Sequence, residues 1–449
     1  MEEIVIKTAQ FFLSLSILVV LHELGHFIPA KLFGARVEKF YMFFDWKFSL
    51  FKFKKGETEY GIGWIPLGGY VKIAGMVDES MDTDQLKNDP EPWEFRSKPA
   101  WQRLIILLGG VTVNVILAMV IHSLVLFTWG EKYLPNENLS DGMWIVDSLA
   151  TDIGFQNGDK IIDINGKKIE KFSGITGEML YGGIVNVQRS NGSREALTIP
   201  ENFIETLIDN EKKMLFMYRM PFIIGKVPEN SHNKSSGLMA KDVIVAINGT
   251  KYKYFDEYKT ALKDFAGQQV ALTVKRDGTP MDINVAINEK GQIGVLNSLL
   301  GLEDLQKLGY YQLSTTEYGL FAAIPAGIGK AGAQLSGYIR QLKLIFTPST
   351  GAYKGVGGFA AIGNLFPPVW DWQTFWNLTA FLSIMLAVLN LLPIPALDGG
   401  HVMFTLYEMI TGRKPNEKFL EYAQMVGIVL LLTLFVFANG NDVYKLIFK

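Results

Sequence analysis

The sequence contains no cysteine. Disulfides, thiolate-ligated zinc, iron–sulfur clusters and a thiol nucleophile are therefore excluded, and any bound metal must rest on histidines and carboxylates. Histidine itself is scarce, five in 449 residues. Neither sign of charge is in excess: 43 Lys and Arg face 45 Asp and Glu. The bulk attraction that nucleic-acid binding needs is missing. The N-terminus also lacks a basic n-region, opening Met1-Glu2-Glu3, and its first apolar run has no evident small-residue cleavage site, so that run is expected to be retained as a membrane anchor.

What is present is apolar sequence in long blocks. The chain is 49% hydrophobic with a mean hydropathy of +0.17, an average that hides uncharged runs beside polar ones. Four runs are long enough to cross a bilayer: about Lys7 to Ala30, Leu104 to Trp129, Trp376 to Leu397, and Phe419 to Phe437. Four spans put both termini on one side. Lys31, Arg36, Lys39, Lys52, Lys54 and Lys55 between spans one and two, and Arg413, Lys414 and Lys418 before span four, mark the cytoplasmic side. Both termini and the middle region, about 130–368, then face outward, toward the periplasm of a bacterium whose inner membrane holds the chain. The expected fold class is a polytopic α-helical membrane protein with a membrane-associated β-hairpin or re-entrant loop and two β-rich domains. Its expected parts are a first span (1–30), a β-loop region (31–100), a second span (101–129), two β-rich domains (130–222 and 223–310), amphipathic helices with a Gly-rich connector (311–373), a third membrane segment (374–412), and a fourth span with its tail (413–449).

The middle region repeats itself. Gly154-Phe-Gln-Asn-Gly-Asp159-Lys-Ile-Ile-Asp-Ile-Asn165-Gly166 recurs 83 residues later as Gly237-Leu-Met-Ala-Lys241-Asp242-Val-Ile-Val-Ala-Ile-Asn248-Gly249. Each copy reads as a turn, an alternating apolar strand and an Asn-Gly turn. The pattern resembles tandem bacterial PDZ domains, with Lys241 standing where the second motif glycine belongs. Tyr318 to Phe346 has helical spacing suited to helices on a membrane or beneath the repeat. The Gly-rich run Gly351 to Gly363 carries no chemistry that the sequence reveals.

His22-Glu23-Leu24-Gly25-His26 is a HExxH pattern within the first span. Four helical residues advance about 400°, so both imidazoles project from one face and can share a metal, with Glu23 beside them to hold a water. An ionisable group at a helix centre costs about 2.5–3.5 kcal/mol to insert, which argues against an idle trio. Tetrahedral Zn²⁺ lacks a third protein ligand here. Spans one and three run in the same direction, and span three ends in Asn390-Leu-Leu-Pro393-Ile-Pro395-Ala-Leu-Asp398-Gly-Gly-His401, so Asp398 arrives at the right depth. Pro393 and Pro395 should break the helix, and irregular backbone at that level requires a protein-lined, wet pocket.

HExxH, NxxPxPxLDGG, the PDZ-like pair and Gly68-Gly69-Tyr70-Val71-Lys72 together resemble the site-2 protease family of intramembrane zinc metalloproteases. The resemblance implies His22, His26 and Asp398 as ligands of a Zn²⁺ cofactor and Glu23 as general base. It also suggests Asn390 as a group that holds substrate or stabilises an oxyanion, against the alternative of an Asn satisfying backbone freed by the prolines. His401 reads equally as a hydrogen-bond donor near the metal or an ordinary polar contact at a helix start. His122 and His232 are not expected as ligands, and Asn114 reads as an inter-helix hydrogen-bonding residue.

Phe43 to Phe53, a turn at Lys54-Lys55-Gly56-Glu57, and an extended Glu59 to Ile73 predict a β-hairpin. Its edge, with Gly68, Gly69 and Tyr70, could receive an extended substrate strand; the plainer reading is a hairpin that only supports the fold. The function implied is hydrolysis of a peptide bond within the membrane segment of a pre-trimmed single-span protein, such as an anti-sigma factor or a remnant signal peptide. Membrane lipid is the other expected partner, and nucleic acid is not. The PDZ pair would filter substrates by size or capture a new C-terminus. The competing reading is a non-catalytic membrane scaffold with a structural metal, and a metal transporter is disfavoured because the charges cluster at one depth.

Overall fold

The computed structural model describes residues 2–66, 68–76, 89–210 and 214–448. Residues 77–88, inside the expected β-loop region, and residues 211–213, inside the first expected β-rich domain, lie outside the described residues. So does Leu67, within the expected extended stretch. The chain forms two units: Met1–Gly130 with Glu317–Phe346 and Gly355–Lys449, and Glu131–Thr316 with Thr347–Lys354.

The first unit is built on helices α1 (Glu2–Leu32), α2 (Ala100–Trp129), α3 (Leu320–Ile345), α4 (Trp372–Asn390), α5 (Asp398–Thr411) and α6 (Glu417–Phe448). Among the described residues, α1, α2, α4 and α6 are long and apolar enough to cross a membrane, and the protein is a membrane protein. Helix α2 is the hub. It buries Asn114, Ala118, Ile121 and Val125 while exposing Ile116, Val120 and Leu124, a lipid-facing stripe at four-residue spacing. Helices α1 and α2 touch backbone to backbone at Gly25 and Gly109, where a Cβ on either residue would overlap the other's carbonyl. Small residues at such crossings permit close packing in lipid, where apolar side chains gain little by leaving the hydrocarbon.

The third apolar run differs from its expected extent. The helix stops at Asn390 instead of continuing to Leu397, because Pro393 and Pro395 cannot supply the N–H groups that a further turn requires. Ala396 takes a left-handed φ of 86°, and α5 restarts at Asp398. A Cβ on Gly399 would overlap the carbonyls of Leu391 and Leu392, and one on Gly400 would crowd Ile394 and Pro395. The two glycines thus let the break fold back tightly on itself and set Asp398 at the first position of α5.

The expected hairpin is part of a larger mixed sheet. Strands β1 (Val37–Met42), β2 (Phe51–Lys55), β3 (Thr58–Ile62) and β4 (Tyr70–Ile73) stand in the order β2-β3-β1-β4. β2 and β3 do form an antiparallel hairpin about Gly56-Glu57, but β3 also pairs with β1 in parallel. That non-local pairing leaves no periodic mark in the sequence, and neither 63–66 nor 68–69 is strand. Gly61 leaves room for the buried Tyr41 ring, which stacks on Tyr70 at 5.4 Å between centroids.

Where amphipathic helices were expected, α3 is one helix packed on the spanning helices: Gly327 lies against Ser123, and Gln334 hydrogen-bonds His122 at 2.9 Å. The Gly-rich connector gains a role. Asp442 of α6 accepts the backbone N–H groups of Gly358 and Ala361, each at 3.0 Å, and Asn439 accepts that of Phe359 at 3.2 Å. A side chain at Gly358 would block that approach.

The second unit holds two β bodies with separate apolar cores. One has the sheet Lys160–Ile164, Gly183–Gln188, Arg194–Ile199; the other has Val243–Ile247 flanked by Thr250–Lys251 and by Gln269–Arg276, which pairs with Thr279–Ala286. The repeated motif occupies equivalent places. Asn165-Gly166 and Asn248-Gly249 both take positive φ, as a tight turn after a strand requires. Buried Asp159 pairs with Arg189 at 2.6 Å, and Asp242 pairs with Arg276 at 2.7 Å. Lys241, where the motif glycine is missing, still adopts φ 75°, against 88° at Gly158.

Candidate metal centre

Each residue of the centre is positioned by a local consequence of sequence. HExxH lies on α1, so His22 and His26 stand one above the other, with ring centroids 4.9 Å apart. Gly110 of α2 faces both rings, and a Cβ there would occupy space that the imidazoles fill. Asp398 enters from the start of α5. Its Oδ2 lies 3.4 Å from Nε2 of His22 and 3.4 Å from Nε2 of His26, and the two Nε2 atoms are 3.3 Å apart. The three groups can share one ion.

The donor set fits zinc. A tetrahedral ion with ligands at about 2.0–2.1 Å needs donor atoms about 3.3–3.4 Å apart, which is the spacing observed. Asp398 Oδ2 is also buried and, among the described residues, accepts no hydrogen bond, a costly state that a cation relieves. Two imidazoles and a carboxylate are typical ligands for Zn²⁺ in a site that keeps its fourth position open. His26 Nδ1 sits 2.8 Å from the carbonyl of Ile106. Donating there keeps the lone pair on Nε2, facing the other two groups.

A cavity of about 820 Å³ opens on this triad. Glu23, Asn390, His401, Gly68, Gly69 and Tyr70 all line it. Asn390 Nδ2 is 3.2 Å from His22 Nε2. Gly69 lies against α1, where a Cβ would crowd Val19 and come within 3.3 Å of Glu23 Cγ. Tyr70 is fixed by stacking on Phe44 and by donating its hydroxyl to Asp45 at 2.8 Å. Among the described residues β4 is an edge strand, and all four of its residues line the cavity. His122 instead bonds Gln334, and His232 bonds the carbonyl of Ala286 in the second unit.

Asn114, expected to hydrogen-bond between helices, is fully buried with its amide 3.1 Å from His22 Nδ1. One further contributor escaped the sequence reading. Gln424 on α6 lines the cavity with its Nε2 buried and, among the described residues, without a hydrogen-bond partner. A lone glutamine at the edge of an apolar run gave no signal.

The sequence profile of peptidase family M50 matches residues 10–434. The regulator of sigma E protease of Haemophilus influenzae is 27% identical, over 97% of this chain and 98% of that protein. The regulator of sigma-E protease RseP of Escherichia coli is 25% identical over 98% of both. A relative from Neisseria meningitidis, described by its name as a zinc metalloprotease, is 27% identical over 97% of this chain and 98% of its own length.

Proposed function

The chain belongs to peptidase family M50 and is a zinc-dependent membrane protease of the site-2 type; from that premise we propose that it hydrolyses a peptide bond within the membrane segment of a single-span protein whose outer domain has already been trimmed. His22, His26 and Asp398 hold the zinc and Glu23 is the general base. The observation that carries this reading is the mutual 3.3–3.4 Å spacing of the three donor atoms beside a cavity that Glu23 also lines.

Bound zinc supplies Lewis acidity toward the scissile carbonyl and favours ionisation of water at neutral pH. Glu23 takes a proton from the attacking water and returns it to the leaving amine, so no acyl-enzyme forms. The substrate segment must first unwind, since helical carbonyls are already hydrogen-bonded. The open edge of β4 offers backbone partners to the unwound strand, β-augmentation at the cavity wall, while Gly68 and Gly69 allow close approach. Asn390 donates its amide toward the reacting carbonyl.

The second unit is a pair of PDZ domains, a reading supported by the motif repeated at an 83-residue offset with matching turns and buried Asp–Arg pairs. Both termini and this pair face the periplasm of a bacterium, and the spans lie in its inner membrane. The pair filters substrates by size, admitting short stubs of the anti-sigma-factor or signal-peptide kind. A second role, capture of a C-terminal carboxylate, is favoured by the cavity of about 430 Å³ lined by Phe222, Phe255, Lys259 and Leu262. Deleting the pair separates the two: filtering predicts that substrates with bulky outer domains become cleavable, whereas capture predicts weaker cleavage.

Reconstituted cleavage of a tagged single-span substrate by a Glu23→Gln protein tests the central reading. Cleavage should fall about 10²–10⁴-fold with zinc retained. Undiminished cleavage would remove Glu23 from the mechanism.

A further inference from the structure

His22 differs from His26 in what orients its ring. His26 has a backbone carbonyl at its Nδ1, an acceptor that no substitution removes. His22 Nδ1 instead faces the side-chain amide of Asn114, with Nδ2 at 3.1 Å. At the other end of the same ring, Nε2 lies 3.2 Å from Asn390 Nδ2. A neutral imidazole carries one N–H and one lone pair, so it cannot accept from both amides at once.

Ligation resolves the conflict in one direction only. If Nε2 of His22 presents its lone pair to an ion, the ring proton must sit on Nδ1, and Nδ1–H then needs an acceptor. Asn114 has one to offer: its Oδ1 is buried and, among the described residues, has no hydrogen-bond partner. A half-turn of the amide exchanges Nδ2 for Oδ1, so that Oδ1 accepts the Nδ1–H and the amide nitrogen takes the place Oδ1 held. The residue is well held for this task. It is fully buried, and its backbone carbonyl accepts the Ser383 hydroxyl at 2.7 Å, which anchors this point of α2 to α4.

We propose that Asn114 is a positioning residue for the metal centre: its side-chain oxygen accepts the Nδ1–H of His22, and so sets the tautomer and ring angle that turn Nε2 toward the ion. This rests on the zinc reading of the triad. Partners of this kind on metal-bound histidines change metal affinity by about 10- to 100-fold when removed. The competing acceptor is the backbone carbonyl of Gly110, which is within hydrogen-bonding reach of the same ring.

The test is zinc affinity of the purified full-length chain, measured with Zn²⁺ alone against a competing chelator, for the unmodified protein, Asn114→Leu and Asn114→Asp. Leucine keeps the branched four-atom side chain without an acceptor; aspartate keeps the acceptor. Binding about 10- to 100-fold weaker in Asn114→Leu, with Asn114→Asp at least as tight as the unmodified chain, is the expected result. Cobalt substitution adds a second readout, with a perturbed visible spectrum in Asn114→Leu only. Should leucine prevent folding, Asn114→Ala is compared with Asn114→Asp in the same way. Equal affinity of the leucine and unmodified proteins would assign the role to Gly110 and overturn the proposal, and so would equal weakening in leucine and aspartate, which indicates packing alone. Failure of the unmodified chain to bind zinc would instead defeat the metal reading beneath it.

Discussion

Replacing Gly110 by alanine adds one methyl group at the point where α2 faces both imidazoles. A Cβ there would stand 2.5 Å from Cε1 and 2.7 Å from Nδ1 of His22, and closer still to Nε2 of His26. Ordinary contact begins at 3.4 Å. The His22 ring must therefore withdraw by roughly 0.7–0.9 Å, several times the tolerance of about 0.2 Å within which ligand distances hold at a metal site. Gly110 is helical, so alanine is no strain on the backbone, and it favours helix by about 1 kcal/mol. Lost function could not then be blamed on a weakened α2. The expected outcome is a loss of about 10²-fold in cleavage, the cost of a misplacement near 1 Å, with weakened zinc binding and a thermal stability in chelator lowered by no more than about 1–3 kcal/mol, the cost of overpacking, less the helix gain. Chelator competition and thermal unfolding of detergent-purified protein measure both. Unchanged zinc affinity in Gly110→Ala would refute the reasoning that this glycine exists to admit the two rings.

Other perturbations reach different parts of the chain. Arg103 and Glu408 form a largely buried pair at 2.5 Å that ties α5, and with it Asp398, to α2; Glu408→Ala should cost about 3–5 kcal/mol by leaving the guanidinium unpaired, read as earlier thermal unfolding and weaker zinc binding. Lys241 holds a left-handed φ that costs a non-glycine residue about 1–2 kcal/mol, so Lys241→Gly should raise the unfolding transition of the second unit, by ~1 kcal/mol after the added chain entropy of glycine. Hydrogen bonds from Lys253 and then Tyr254 hold the Asp141 carboxyl below its ordinary value of 3.8. Its contribution to stability is complete above that value and is lost as pH falls through the lowered one, so the acid limb of a stability profile should flatten in Asp141→Asn.

The parts of this protein that sequence made legible are those with short-range marks. HExxH fixes two imidazoles on one helical face whatever surrounds them, and apolar runs of bilayer length announce four helices. The prolines and glycines between Asn390 and His401 point to a broken helix, although not to its end at Asn390. Long-range pairing is what stayed hidden. β1 joins β3 in parallel across more than a dozen residues, and the turn signal between them, Lys54-Lys55-Gly56-Glu57, marks only the β2–β3 hairpin. The crossing of Gly25 with Gly109 looks in sequence like two ordinary small residues in apolar runs. Asn114 could be read as bonding another helix but not as bonding His22, and Gln424 was opaque, because the meaning of a single polar residue lies in what another helix brings to it.

The most direct test of the account is zinc X-ray absorption on the purified chain and on Asp398→Ala. One zinc per chain, bound by two imidazole nitrogens at about 2.0–2.1 Å with the remaining donors oxygen, and a collapse of occupancy in Asp398→Ala, is the predicted result. An unchanged absorption spectrum and full occupancy in Asp398→Ala would contradict it.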